Sequence, residues 1–323
     1  MRRNLNNLKR YFNQNTKAIL TVIGFIAFII IIIQVLNNMT KASIEEQSRQ
    51  AINNKNSNNI ETTSNYSKSI ISSQEIGETT YKEQSNIIDN FINYCNNGDV
   101  QNAYNLLSND CKKEMFSKLE DFQNNYYNKV FNSKKSYSIQ NWSNSTYKVR
   151  IKEINNMLAT GKVANNEAIE DYYTVVYSEN EYKLNINNFI GTQVINAEGE
   201  DQNIKIKVIN KKTYVDYEIY NINVENNKEN YILLDTKETT KSMYIKDSKD
   251  VKYPSYSHEI VDSSLIIPSG GNRDLTIKYT NSFVVNRKIK YLGFSDIILD
   301  YYKYKDTSDK TQYKDRLKIE VEI

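Results

Sequence analysis

Hydrophobic and polar positions along this chain fall into four regimes, and each change of period marks an expected change of structure. From Ala18 to Leu36 the sequence AILTVIGFIAFIIIIIQVL contains no charge, and Thr21 and Gln34 are its only polar side chains. At ~1.5 Å per residue this run extends ~28 Å, about one hydrocarbon core, so a transmembrane helix is expected over 18–36. From Asn37 to Glu78 the pattern dissolves into Ser, Asn, Thr, Gln and charge with isolated Ile residues. Such a segment buries too little apolar surface to offset its ordering entropy, and reads as a disordered linker over 37–78 with an r.m.s. span of roughly 35 Å.

Helical period begins at Thr79. Ile87, Ile88, Phe91, Ile92 and Cys95 form one stripe, with a stop expected at Asn97 and Gly98. Asp99 is placed to cap a second helix bearing Val100, Ala103, Tyr104 and Leu107, and a third, from near Asn109, carries Met115, Phe116, Leu119, Phe122 and Tyr126. Beyond Lys135 the preference turns to strands, around 137–142, 145–154, 171–178 and 182–190. Helices followed by an antiparallel sheet give an α+β plan for 79–190, with the helices on one concave face.

After Gly191 the period is two. Ile204, Ile206 and Val208 alternate with Lys205 and Lys207, Leu275, Ile277 and Tyr279 with Thr276 and Lys278, and Leu317, Ile319, Val321 and Ile323 with Lys318, Glu320 and Glu322. Asn226 to Asn230 reads as a hairpin loop and Pro268 to Asn272 as a turn. Seven or eight strands over 191–323 without helical period fit an immunoglobulin-like β-sandwich. A chain ending in a paired strand leaves no room for a C-terminal sorting tail, which makes 18–36 the sole expected anchor.

The phrase FINYCNNGDVQNAYNLLSNDCKKEMF, Phe91 to Phe116, followed by LEDFQNNYY, resembles the opening of NTF2-like (cystatin-like α+β cone) domains of membrane-anchored bacterial envelope proteins. The resemblance spans about residues 79–190 and rests on the order helix, Gly-Asp turn, helix, helix, sheet. It implies a cone-shaped α+β fold. Enzymes, ligand pockets and assembly modules all occur in that family. Its enzymes commonly use a His and acid pair, and no His lies between Thr79 and Ile190, so that role transfers to no position here.

Charge orients the chain. Arg2, Arg3, Lys9, Arg10 and Lys17 precede the apolar run without an acid among them, whereas Lys41 and Arg49 bracket Glu45 and Glu46 after it. A basic tail at 1–17 stays cytoplasmic, which leaves 37–323 extracytoplasmic. A cleaved signal peptide has a shorter core and a small-residue cleavage site, and neither is found here. The net charge of +3 is small and the tail holds five of the basic residues, so nucleic acid is not an expected partner. The wealth of Asn, Lys, Ile, Ser and Tyr, all with AT-rich codons, reads first as a bacterial genome signature.

Candidate chemistry is sparse. Cys95 and Cys111 are the only cysteines, too few for a four-ligand zinc site; they could pair outside the membrane or simply be buried in a helical hairpin. His258, beside Tyr253, Tyr256 and Glu259, could titrate near neutral pH, although a single His in such a loop is more often a surface residue. Asp171, Tyr172 and Tyr173 could do acid and base work in a cavity, but alternating Tyr and Val on a strand is far more often packing. Tyrosine, counted at 26, could line a binding surface at Tyr126 with Tyr127, or at Tyr301, Tyr302 and Tyr304; codon bias and β-propensity are the favoured explanation of the abundance. No phosphate loop, HExxH, GxSxG or calcium loop is present, and the Asn141 to Ser143 sequon is expected by chance in a chain so rich in Asn. No catalytic, cofactor or metal residue is therefore assigned. The expectation is a non-enzymatic binding or assembly protein of the cell envelope, whose partners are the bilayer, through 18–36, and other envelope proteins. The alternatives are a conjugation or type IV secretion subunit, a sensor or carrier of a small ligand and, last, an enzyme working without His.

Overall fold

The computed structural model describes residues 76–154, 168–281 and 287–323. The expected span 18–36 lies outside them, and no helix among the described residues is long and apolar enough to cross a membrane.

The first layer is helical. Helix α1 (Glu78–Asn96) buries Tyr81, Ile88, Phe91, Ile92 and Cys95, the stripe that 3.6-residue spacing places on one side. It stops at Gly98, whose φ of +76° is a left-handed conformation that costs glycine nothing. Asp99 then accepts the Asn102 amide proton at 3.2 Å and opens α2 (Val100–Asn105), and Ser108 does the same for Cys111 at 3.0 Å and opens α3 (Asn109–Met115). A last helical stretch is built of α4 (Leu119–Phe122), a π-helical turn (Gln123–Tyr127) and α5 (Asn128–Val130). The widened turn keeps Tyr126 buried alongside Phe122. Phe91 is the hub of this core, with the rings of Phe122, Tyr126, Phe131 and Tyr173 centred 5.5–6.5 Å away.

These helices cover a four-stranded antiparallel meander, β1 (Lys135–Ser143), β2 (Thr146–Glu153), β3 (Ile169–Ser178) and β4 (Glu181–Asn185), in sequence order. The expected strand over 182–190 is broken at Asn187 and Asn188, which both take positive φ, 59° and 63°. β5 (Phe189–Asp201) starts there and belongs to a different sheet.

That sheet has the order β12-β7-β6-β5, where β6 is Ile204–Tyr214, β7 Tyr217–Asn226 and β12 Gly271–Thr280. Facing it is a six-stranded sheet, β10-β9-β13-β8-β11 with β14 paired to β13. Its strands are β8 (Ile232–Leu233), β9 (Met243–Asp247), β10 (Lys252–Pro254), β11 (Ile266–Ile267), β13 (Ile289–Ile298) and β14 (Arg316–Glu322). The short helix α6 (Tyr301–Asp306) lies between β13 and β14. Alternation makes each strand two-faced. Ile206, Val208, Ile222, Val224, Ile277 and Tyr279 from one sheet meet Ile245, Leu292, Phe294, Ile319 and Val321 from the other in a single core. The helical layer joins on through Glu114 of α3, which accepts hydrogen bonds from Lys212 and Tyr214 of β6.

The expected fold class, an NTF2-like α+β domain followed by an immunoglobulin-like sandwich, is overturned. The described residues are predominantly strand, most of their helices are a turn or two long, and the first sheet is a short meander that ends at β4 instead of curving into a cone. The local helix and turn signals were satisfied by short helices, and the left-handed pair at Asn187 and Asn188 sends the chain into a new sheet before a cone can form. In an immunoglobulin sandwich, by contrast, the third strand crosses to the opposite sheet. Here the tight turn at Gln202 and Asn203 and the next turn, at Val215 and Asp216, keep β5, β6 and β7 as sequential neighbours in one sheet.

Gly293 of β13 sets the spacing on the outer face of the six-stranded sheet, because the Tyr244 ring lies where a Cβ would stand, 2.5 Å from it. Gly293→Ala is expected to cost about 1–3 kcal/mol by overpacking, read from urea unfolding. The cost should shrink in a Tyr244→Ala background, where nothing occupies that space.

Candidate binding groove

β12 is the outermost strand of its sheet, and an open edge invites unwanted pairing. The segment after β10 covers it. Ser255 bridges to Tyr279, the Tyr256 amide donates to the Lys278 carbonyl at 2.8 Å, and the Arg273 guanidinium donates to the Ser263 carbonyl at 2.7 Å. Two 3₁₀ turns, Ser257–Glu259 and Asp262–Leu265, fold this segment back against the outer face of β12 and β7.

Between the segment and the sheet lies an open groove of about 410 Å³, whose lining includes Ile219, Tyr256, Glu259, Val261, Asp274 and Lys278. Because Leu275, Ile277 and Tyr279 point into the core, period two obliges Asp274, Thr276 and Lys278 to face the groove. The Lys278 ammonium sits 3.2 Å from both Glu259 carboxylate oxygens and 4.5 Å from the centre of the Tyr217 ring. Its charge is thus held in place by a carboxylate and an aromatic face. Asp274 accepts from the Asn223 amide at 2.7 Å, and Thr276, Asn221 and Asn210 form a hydrogen-bonded row across three strands. Val261 is 69 % exposed and supplies an apolar rim. A pinned ion pair, an aromatic wall and an exposed aliphatic lip suit recognition of a partner by charge and shape.

Other residues prominent in the sequence are distributed differently. His258 is exposed beside the groove, edge-on to Tyr256, with Nε2 4.0 Å from Glu259. Tyr253 lies apart from it, donating to Asp247 at 2.9 Å. Tyr301 and Tyr302 pack with Tyr231 at the surface, whereas Tyr304 is buried and donates to Glu238 at 2.7 Å; the buried setting and that carboxylate push its hydroxyl up to about 12. Tyr127 stacks on Phe131. Cys95 and Cys111 are both free and buried, and desolvation raises both thiols, Cys111 to about 12. That makes them poor nucleophiles. No cluster of three or more His, Cys, Asp or Glu placed to hold a metal occurs among the described residues.

Asp171 and Tyr173 come together with Tyr126, while Tyr172 turns the other way onto Trp142. Tyr126 donates to Asp171 at 2.7 Å and therefore accepts from Tyr173, 2.6 Å away, since it has one proton to give. Asp171 also accepts the backbone amides of Tyr172, Asn187 and Asn188 at 2.7, 3.3 and 3.0 Å. Burial pushes its carboxyl up to about 6 against these donors. The trio is sealed from solvent and braces the turn out of the first sheet.

Sequence reading did not find the groove, whose walls come from β7, β12 and a loop far apart in the chain. Alternation at Leu275, Ile277 and Tyr279 was visible, and with it a polar face opposite; what would stand over that face was not.

The described residues thus define a mostly β protein with an exposed, mixed-polarity groove. No family model and no curated protein matches the chain. Among solved structures, the 2.2 Å crystal structure of a conserved hypothetical protein from Bacillus anthracis aligns at 11 % identity and a TM-score of 0.24, covering 39 % of this chain and 94 % of that one.

Asp171 makes a pH test. Its folded-state pKa, about 6, exceeds the ordinary 3.8, so the folded protein holds this proton more tightly than the unfolded chain. The resulting stabilisation is full below pH 3.8 and is lost as the pH rises through 6, an effect of about 3 kcal/mol. In urea unfolding measured across this window, Asp171→Asn should remove that component of the pH dependence. It should also lower stability by about 1–3 kcal/mol, because one amide cannot accept all four hydrogen bonds.

Proposed function

We propose that this chain is a non-catalytic binding protein of a bacterial cell envelope. It is anchored by 18–36 with its N-terminus in the cytoplasm, and it displays residues 37–323 outside. The anchor and its orientation rest on the uncharged run and the basic residues before it. The observation that carries the binding role is the groove, where Lys278 and Glu259 hold a fixed charge pair beside Tyr256 and the exposed Val261. The partner is another envelope protein, whose segment lies along the outer face of β12. Sealing of the Tyr126, Asp171 and Tyr173 trio from solvent supports a structural role for the most acid- and base-like cluster. The alternative of a conjugation or type IV secretion subunit leaned on the cone-shaped fold, which the described residues do not form.

A photo-crosslinking residue at Val261 of the full-length chain, in intact cells, is expected to give a discrete adduct that Lys278→Glu abolishes. The same residue at exposed Asp201 should give none. Absence of an adduct at Val261, or identical adducts at both positions, would sink the reading. Protease added to intact protoplasts should remove the 76–323 body, and full protection would reverse the orientation.

A further inference from the structure

The outer face of the six-stranded sheet, on the opposite side of the sandwich from the groove, concentrates positive charge. On β10 and β9, Lys252 and Lys246 are direct register partners, a like-charge pairing that is normally destabilising. Lys246 approaches Glu320 of β14 at 3.0 Å and Asp250 at 3.5 Å, and Lys318 approaches Glu320 at 3.2 Å. The Lys252 ammonium makes no ion pair among the described residues; it stands 3.8 Å above the ring of Tyr244, whose hydroxyl donates to Glu320 at 2.6 Å. Lys241 adds a fourth charge within electrostatic range of Lys252. Four ammonium groups thus face two carboxylates, Glu320 and the exposed Asp250.

The local electrostatics show which group is short of a partner. Burial opposes the charge of Glu320, yet donors from Tyr244, Lys246 and Lys318 outweigh it and bring its carboxyl down to about 2. Burial, then repulsion from Lys318, lower Lys252 instead; the attraction of Glu320 offsets part of this, and Lys246 and Lys241 add to the lowering. One carboxylate is saturated with cations and one cation is left in surplus. An added anion above Tyr244 would turn the repulsion among the lysines into attraction. The cluster contains no arginine, whose planar fork suits a carboxylate; swivelling ammonium groups suit a compact, tetrahedral, multiply charged anion.

We propose that the face formed by Lys246, Lys252 and Lys318 around Tyr244 and Glu320 is a binding site for a phosphate group. The phosphate sits between Lys252 and Lys318 above the ring of Tyr244, where it competes with Glu320 for the lysines.

Isothermal titration of the full-length chain, in zwitterionic micelles, with pyrophosphate tests the site. Saturable binding is expected, weakened about tenfold by Lys252→Ala and by Lys318→Ala, and tightened by Glu320→Gln, which removes a competing anion. Lys290→Ala, on the same face but paired with Glu322 at 3.5 Å, should leave the affinity unchanged. Removing Lys252 also removes the like-charge pair, so that variant should melt no lower than the parent, which separates lost binding from lost folding. Two further arms identify the source of the phosphate. Lys252-dependent capture of phosphatidylglycerol vesicles, but not zwitterionic ones, by the chain in zwitterionic nanodiscs indicates a lipid headgroup, and Lys252-dependent retention on polyphosphate beads indicates a soluble phosphate polymer. Absence of saturable binding, equal weakening by Lys252→Ala and Lys290→Ala, weaker binding by Glu320→Gln, or failure of both capture arms would overturn the site.

Discussion

Asp171 collects four hydrogen bonds at the place where the chain leaves one sheet for another, and the arrangement on either side depends on that junction. Two of its donors are the amides of Asn187 and Asn188, residues held in the left-handed region. Backbone amides turned inward at such a bend need an acceptor, because an unpaired buried N–H costs as much as a lost hydrogen bond. A carboxylate supplies it, and Tyr126 from the helical layer completes the set. One side chain therefore ties the helices, the first sheet and the start of β5 together, and a cost of burying its charge accompanies that role.

Beyond the junction, the two larger sheets share one core and leave two outer faces of different character. The face of β7 and β12 is roofed by the 255–265 segment and presents a balanced pair, Lys278 with Glu259. The face of β9, β10, β13 and β14 lies open and carries a surplus of lysine around Glu320. Both surfaces use tyrosine under a cation, Tyr217 below Lys278 and Tyr244 below Lys252. An aromatic face steadies an ammonium without neutralising it, so the charge stays available to a ligand. The abundance of tyrosine, whatever its genomic origin, serves the packing of these sheets and the placement of their charges.

Local signals in the sequence were informative about local structure. The stripe from Ile88 to Cys95, the stop at Gly98 and the cap at Asp99 each depend on residues within one or two turns, and each has its counterpart in α1 and α2. Alternation at Ile204 to Val208 and at Leu317 to Val321 likewise names the buried faces of β6 and β14. The same signals misled at the level of fold class. Helix, turn, helix, helix, sheet is compatible with many packings, and nothing near Asn187 announced that its amides would be claimed by Asp171 and the strand ended there.

The sequence by itself determined the uncharged run at 18–36, the sign of the charges flanking it, and the period of each segment, since all of these are properties of neighbouring residues. Tertiary structure decided which strands share a sheet, which polar face received a roof, and that Lys252 would stand opposite Lys246 with no carboxylate of its own. Those outcomes depend on contacts between residues tens of positions apart. Period two fixes only that a side chain faces one side or the other, and the neighbour it meets there is chosen by strand pairing.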